Sequence, residues 1–493
     1  MFERINLYIN KKFSLTEIQE KLLKGSFWMF IGVAITKFFD LISIFIIARI
    51  LSPEEFGRLS IIKSTTFTFV LFSVGSLGLT ATKYIAKFID DDKVRCQNII
   101  SYLRLLVPIL SFLLSFFTYF FSSLISDKIL NDIDLTLAVK LTAITIFFSS
   151  LNAFQKGILA GLEKFKIISV ISVTSGITTS LILVLVAYFY GLKGVFIVLP
   201  INAAILWVFS IYHTNKSLKL EGILFRLGNY KYFKKILVKF TLPSFLSGLL
   251  ITPTTFYCNV LLVNSFEGYL NLAIYIAAFN LSIITLTING VLGRVFYPII
   301  MKNFNNKINV VEKTNIILPF FIGVILNTPL IIFPDVMKFA YGNEYNSIEV
   351  FNTLVLIANF TIIISFKEGI SRNFAAANLM WISLLSNITW AFLSIISMKF
   401  LVDSGASGRA SAFLYSYLLT NLIFLPVYIS KKLLNKQIFS KYFFLIISSI
   451  LISNAIYYFM LESFTFRIIT FIFVITLQVL TFKLWIRKKN TLK

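Results

Sequence analysis

The sequence predicts an all-α polytopic membrane protein of about fourteen transmembrane helices, two six-helix lobes in pseudo-two-fold repeat followed by a C-terminal helix pair. Three observations carry this. Hydrophobic residues make up 57% of the 493 residues, with 54 Phe and a mean hydropathy of +0.85. A soluble domain cannot hide that much apolar surface and still present a polar exterior. The connections between the apolar runs alternate in charge, and short motifs recur at a fixed spacing across the two halves.

Residues 1–24 hold Arg4, Lys11, Lys12, Lys21 and Lys24 and include the capping-box pattern Ser14 to Glu17, which predicts a cytoplasmic amphipathic helix at the membrane surface. The apolar run that follows is too long for a cleavable signal. Residues 25–214 then read as six spans, the N-lobe, and 215–239 as a basic cytoplasmic linker. Residues 240–430 read as six further spans, the C-lobe, and 431–493 as a final helix pair with a basic tail. Pro243, Pro253 and Pro298 predict bends in the seventh and eighth spans.

The net charge of +24 is a topology signal rather than a nucleic-acid footprint. Lysines and arginines gather in the N-terminal tail, Lys83 to Arg95, Asn215 to Lys239, Lys431 to Lys441 and the C-terminal tail. The opposite links, SPEEFGR, SDKILNDID, GLKG, NSFEGY, YGNEYNS, VDSGASGR and LESFTFR, are short and carry few cations. Excess positive charge stays inside, so both termini are expected in the cytoplasm of a multi-pass inner-membrane protein. The outer links are too short for a folded catalytic domain. One His and two distant Cys leave little material for metal or imidazole chemistry, so the expectation is a non-enzyme without a cofactor.

GSLG at Gly75 to Gly78 recurs as GVLG at Gly290 to Gly293, and Gly157 to Ser169 faces Ser371 to Ser383 at a similar offset. The common spacing predicts a parallel repeat about an axis normal to the membrane, with a cavity between the lobes.

Charged groups inside the spans are candidates to line that cavity, because each costs roughly 2.5 to 3.5 kcal/mol in hydrocarbon. Lys37 and Asp40 stand near the middle of the first span, on one helix face. The same spacing also suits an ion pair that only packs two helices. Lys63 lies deep in the second span. Arg104, Arg294, Lys367 and Glu368 lie near the inner surface and Arg49 and Lys140 near the outer one, where long side chains can snorkel. Asn259 is one of several uncharged polar groups that suit either sugar hydroxyls or helix packing. Within the spans cations exceed acids, which points to an anionic cargo.

The opening GSFWMFIGVAITKFFDLISIFIIARILSPEEFGRLSI resembles the first span and connection of polysaccharide flippases of the multidrug/oligosaccharidyl-lipid/polysaccharide exporter superfamily. LAGLEKFKIIS, FTLPSFLSGLLITP and RVFYPIIMK fit the same family. The resemblance implies a Wzx-type flippase with a cationic vestibule, alternating between inward-open and outward-open states. Its cargo would be an undecaprenyl-pyrophosphate-linked oligosaccharide bound for O-antigen, capsule or exopolysaccharide. It implies that Lys37, Lys63 and Arg294 contact pyrophosphate, and that membrane lipids and other polysaccharide-assembly proteins are partners, with no nucleic acid. Fourteen spans also match the lipid II branch, so a peptidoglycan-precursor flippase stays open, as does a drug or cation antiporter of the same fold. A membrane polysaccharide polymerase is the alternative from another class, and it would need a large outer loop.

Overall fold

The computed structural model describes residues 17–487 apart from 226, 229, 243–244, 246–249, 304–308, 378, 436–437 and 461–462. Side chains are described from residue 28, excepting also 239, 294–303, 309–313, 375–376, 460 and 486–487. Ser14 to Thr16 of the capping-box pattern, Pro243 and the side chains of Arg294 and Pro298 lie outside the described residues.

The described chain is helical throughout. The principal elements are α1 (Glu17–Ile50), α2 (Pro53–Phe88), α3 (Lys93–Phe120), α4 (Thr136–Gly161), α5 (Phe165–Leu220), α6 (Tyr230–Ile236), α7 (Ile251–Val263) and α8 (Gly268–Asn303). They continue with α9 (Asn309–Ile332), α10 (Val336–Tyr341), α11 (Ile348–Ala376), α12 (Met380–Leu401), α13 (Gly405–Ser430), α14 (Lys441–Met460) and α15 (Phe464–Arg487). From Glu17, the first described residue, the helix runs unbroken through Lys24 into the first span.

Among the described residues eleven helices are long and apolar enough to cross a membrane, two of them counted as 51 and 56 residues long. Both of these are hairpins. In α5, Gly191 adopts φ 58, a left-handed conformation that glycine reaches without steric cost. Thr179 and Asn202, nearly equidistant from it, hydrogen-bond across the two arms at 2.8 Å. GLKG is therefore the turn its short, glycine-rich sequence predicts. In the α12–α13 pair, Trp390 stacks edge-on against Phe413 at 5.5 Å, and Ser386 meets Tyr428 at 3.2 Å. Counting each arm, with α7 as part of one more crossing, the helices accommodate the fourteen expected spans.

The chain divides into two compact units. The first comprises residues 1–43, 69–121 and 140–248, the second 44–68, 122–139 and 249–493. Helices α1, α2 and α4 thus each contribute residues to both. In the first unit the core is built from α2, α3 and the inner face of α4, with Ile85, Cys96, Ile99, Leu103 and Ile158 fully enclosed.

Each unit contains one copy of the same helix contact. In the first, a Cβ on Gly157 would lie 2.7 Å from the Gly78 carbonyl oxygen, and Ser73 and Ser150 share a hydrogen bond. In the second, Arg372 packs on Gly293 and Asn289 donates to Ser365 at 2.9 Å. Gly293 and Arg372 stand 215 residues beyond Gly78 and Gly157, so the repeated spacing in the sequence corresponds to repeated packing.

The second unit includes the C-terminal pair, fastened at several depths by polar side chains. Asn359 and Asn454 exchange bonds of 2.8 and 3.1 Å, Tyr457 donates to Asn352 at 2.6 Å, and Gln478 donates to Thr328 and Ser449 at 3.0 and 3.1 Å. Arg467, in the first turn of α15, pairs with Asp335 at 2.6 Å. In hydrocarbon such bonds hold helices where apolar contact alone has no driving force.

Candidate functional site

Lys37 and Asp40 occupy one face of α1 and meet at 3.4 Å, with side chains 44% and 33% exposed. Their i, i+3 spacing makes the pair. Their partial exposure keeps both heads open to whatever occupies that face. Immediately before Lys37, Thr36 donates to the carbonyls of Gly32 and of Ser172 of α5, and Gly176 of α5 packs on Thr36, which seats this stretch of α1 in the first unit.

The other candidates separate into distinct settings. In the first unit, Arg104 donates to Asn215 at 2.6 Å, tying α3 to the last turn of α5. Lys140 lies 5.8 Å from the Tyr119 ring centroid, a cation–π distance. In the second unit, Lys63 is half-buried on α2, and its neighbour Ser64 receives a 3.4 Å bond from Asn259 of α7. Near the C-terminal end of α11, Arg372 spends its guanidinium on Asn315 at 2.6 and 3.1 Å and stays 3.9 Å from Glu368, while Lys367 sits 5.1 Å from the Tyr417 ring.

Asn259 reveals a residue that sequence reading missed. It is 2% exposed, and its Oδ1 accepts from Arg409 Nε at 3.3 Å and Nη2 at 3.1 Å. Arg409 is fully buried between the rings of Phe413, at 3.7 Å, and Tyr275, at 4.7 Å. Its remaining bond goes to the Thr255 carbonyl at 3.4 Å, and its buried Nη1 has no hydrogen-bond partner among the described residues. By sequence Arg409 belongs to the short outer link VDSGASGR. The signal that places it otherwise is the run of small residues Gly405 to Gly408, which opens a helix whose first turn lies against its neighbours. A buried guanidinium sharing an amide oxygen instead of a carboxylate keeps its positive charge uncompensated.

A second cluster in the same unit explains the SPEEFGR motif. Ser52 and Glu55 exchange backbone-to-side-chain bonds of 3.2 Å in a capping box that starts α2, with Pro53 in the first turn. Gly57 lies directly on the Tyr269 carbonyl, where a Cβ would collide. Arg58 pairs with Asp132 at 2.8 Å, Tyr269 donates to the Leu130 carbonyl at 2.8 Å, and Arg49 donates to the carbonyls of Phe339 and Ala340. Phe45 and Phe56 pack on Tyr341. Burial holds the phenols of Tyr341 and Tyr345 above their usual range, and Tyr341 donates to the Ala277 carbonyl at 2.9 Å. Arg49, a snorkelling candidate by sequence, is thus a clasp on the backbone of α10.

Comparison with known proteins places this arrangement. A Shigella flexneri protein named "Putative O-antigen transporter" is 27% identical over 349 residues, covering 68% of this chain and 81% of the relative. Among solved structures, the lipid II flippase MurJ in an inward closed conformation superposes with a TM-score of 0.70, 17% identity, and coverage of 94% of this chain and 99% of its own. An inward-facing multidrug resistance MATE family transporter of the MOP superfamily gives 0.64, 14%, 82% and 99%. Both likenesses are of fold. The profile of the family described as polysaccharide biosynthesis protein matches residues 22–304, more than half of the sequence, and this chain belongs to that family.

Proposed function

We propose that this protein is a flippase that turns an undecaprenyl-pyrophosphate-linked oligosaccharide from the cytoplasmic to the outer leaflet of the bacterial inner membrane, for O-antigen, capsule or exopolysaccharide assembly. The observation that carries the reading is the Lys37–Asp40 pair, a basic and an acidic side chain together midway along an apolar helix with both heads still partly open. The family match and the name of the Shigella flexneri relative support the cargo class. Moving a pyrophosphate and several sugars through hydrocarbon would desolvate charge and hydroxyls together. A chamber lined by cations lowers that cost while the polyprenyl chain stays in lipid.

In this scheme two six-helix lobes alternate access around the cargo. Lys37, Lys63 and Arg294 meet the pyrophosphate, Asp40 tunes Lys37 or carries a coupling proton, and Arg104 and Lys140 extend the positive path toward either surface. Asn259 contributes through the cation it orients, Arg409. Both termini face the cytoplasm, and other polysaccharide-assembly proteins receive the product. The sequence holds no G-x-x-x-x-G-K-S/T loop, so energy comes from an ion gradient or from consumption of product outside.

A second reading, a lipid II-type precursor flippase, draws on the C-terminal pair and on the coverage of the MurJ fold. The test is Lys37→Ala beside Lys37→Arg in cells whose surface glycan depends on this protein. Alanine abolishes surface glycan and traps lipid-linked repeat units inside, and arginine retains part of the export. Normal glycan from Lys37→Ala at normal expression removes the pair from the site. Rescue of a lipid II flippase-deficient strain instead would favour the second reading.

A further inference from the structure

In the first unit, a recess of about 400 Å³ opens between α2, α3 and the short π-helical segment Leu237–Thr241 that follows α6. Its walls include Phe72, Leu77, Leu106, Leu110, Val238 and Leu242. The hydroxyls of Ser73 and Thr241, also on its wall, are spent on Ser150 and on Thr80, the latter at 2.9 Å. Apart from Ser76 the remaining wall is apolar, which suits hydrocarbon better than water or sugar. Leu110, Val238 and Leu242 are exposed at its mouth, and in a membrane protein exposed apolar surface of this kind meets acyl chains.

One end of the mouth is cationic. Lys234 and Lys235 are exposed on α6, four and three residues before Val238, and therefore lie on the same face one turn away. Lys83 of α2 is exposed with its ammonium 3.8 Å from the Phe240 ring centroid. From Lys234 to Leu242 the stripe runs about 12 Å at helical rise. It is basic at the end that joins the basic linker and apolar farther in.

We propose that this recess and its lysine collar bind one anionic glycerophospholipid from the leaflet on the side of the basic linker. An acyl chain lies between α2, α3 and Val238–Leu242, and the phosphate meets Lys234 and Lys235, with Lys83 alongside. A methylene fills about as much space as a water molecule, ~30 Å³, so the recess takes on the order of a dozen of them. That matches most of a single fatty chain. An undecaprenyl chain is several times larger, which argues for a resident lipid over the cargo. The site is independent of the flippase reading.

The test uses the full chain reconstituted with mixed phosphatidylglycerol and phosphatidylcholine, re-extracted in detergent, with retained lipid measured by mass spectrometry. The unaltered protein should keep phosphatidylglycerol above its bulk ratio. Each surface cation contributes roughly a fivefold preference for anionic lipid, so Lys234→Gln with Lys235→Gln should lower that enrichment about 25-fold. Val238→Trp, which fills the mouth, should release lipids of both headgroups, whereas Leu181→Trp on an exposed apolar face of α5 should not. Absence of enrichment, an unchanged double variant, or equal loss from Leu181→Trp would overturn the proposal. Displacement of phosphatidylglycerol by a polyprenyl phosphate at equal concentration would also overturn it, reassigning the recess to the cargo.

Discussion

Substituting Asn259 by alanine tests whether that residue holds a buried cation or contacts cargo directly. Its Oδ1 accepts two bonds from a guanidinium whose other partners among the described residues are the Thr255 carbonyl and two ring faces. A hydrogen bond to a charged group contributes about 1.5 to 3 kcal/mol net, and the two here share one acceptor, so the loss should come to ~3 kcal/mol. That equals the low end of the ~3 to 5 kcal/mol cost of leaving a buried charge without its partner. Arg409→Met removes the charge instead and keeps a flexible chain of similar length against Phe413 and Tyr275, so it should cost under ~1.5 kcal/mol. Asn259 then still has Ser64. The double variant should recover ~2 kcal/mol relative to Asn259→Ala, a coupling that thermal unfolding in detergent or titration with a denaturing detergent will read. If the double variant is no more stable than Asn259→Ala, Asn259 does not serve Arg409. If Asn259→Ala is stable yet export-dead, it contacts cargo.

Gly57→Ala forces a methyl group into the Tyr269 carbonyl. Because backbone cannot swing aside, the expected cost is ~1 to 3 kcal/mol with reduced yield of folded protein, while Arg58→Lys, which keeps a cation opposite Asp132, should fold normally. Gln478→Leu removes the donor shared by Thr328 and Ser449. It should weaken docking of the C-terminal pair by ~1 to 2 kcal/mol and speed its release by limited proteolysis, with little effect when Thr481, which bonds only within its own helix, is changed to Val.

The sequence by itself determined the all-α membrane class and the local chemistry of the turns. Apolar runs of spanning length leave no alternative to helices, since every backbone group must be satisfied within its own segment. GLKG foretold the Gly191 reversal, and SPEEFGR carried its own helix start in Ser52, Pro53 and Glu55. Lys37 and Asp40 paired because both lie on one helix within a turn. Tertiary structure decided the rest, because those contacts join residues far apart in the chain. Arg104 reached Asn215 across 111 residues, Arg409 reached Asn259 across 150, and Arg49 clasped carbonyls 290 residues away. Periodicity and charge report what a residue needs, a partner or water. Which partner supplies it depends on which helices lie side by side, and that is fixed by packing summed over the whole bundle.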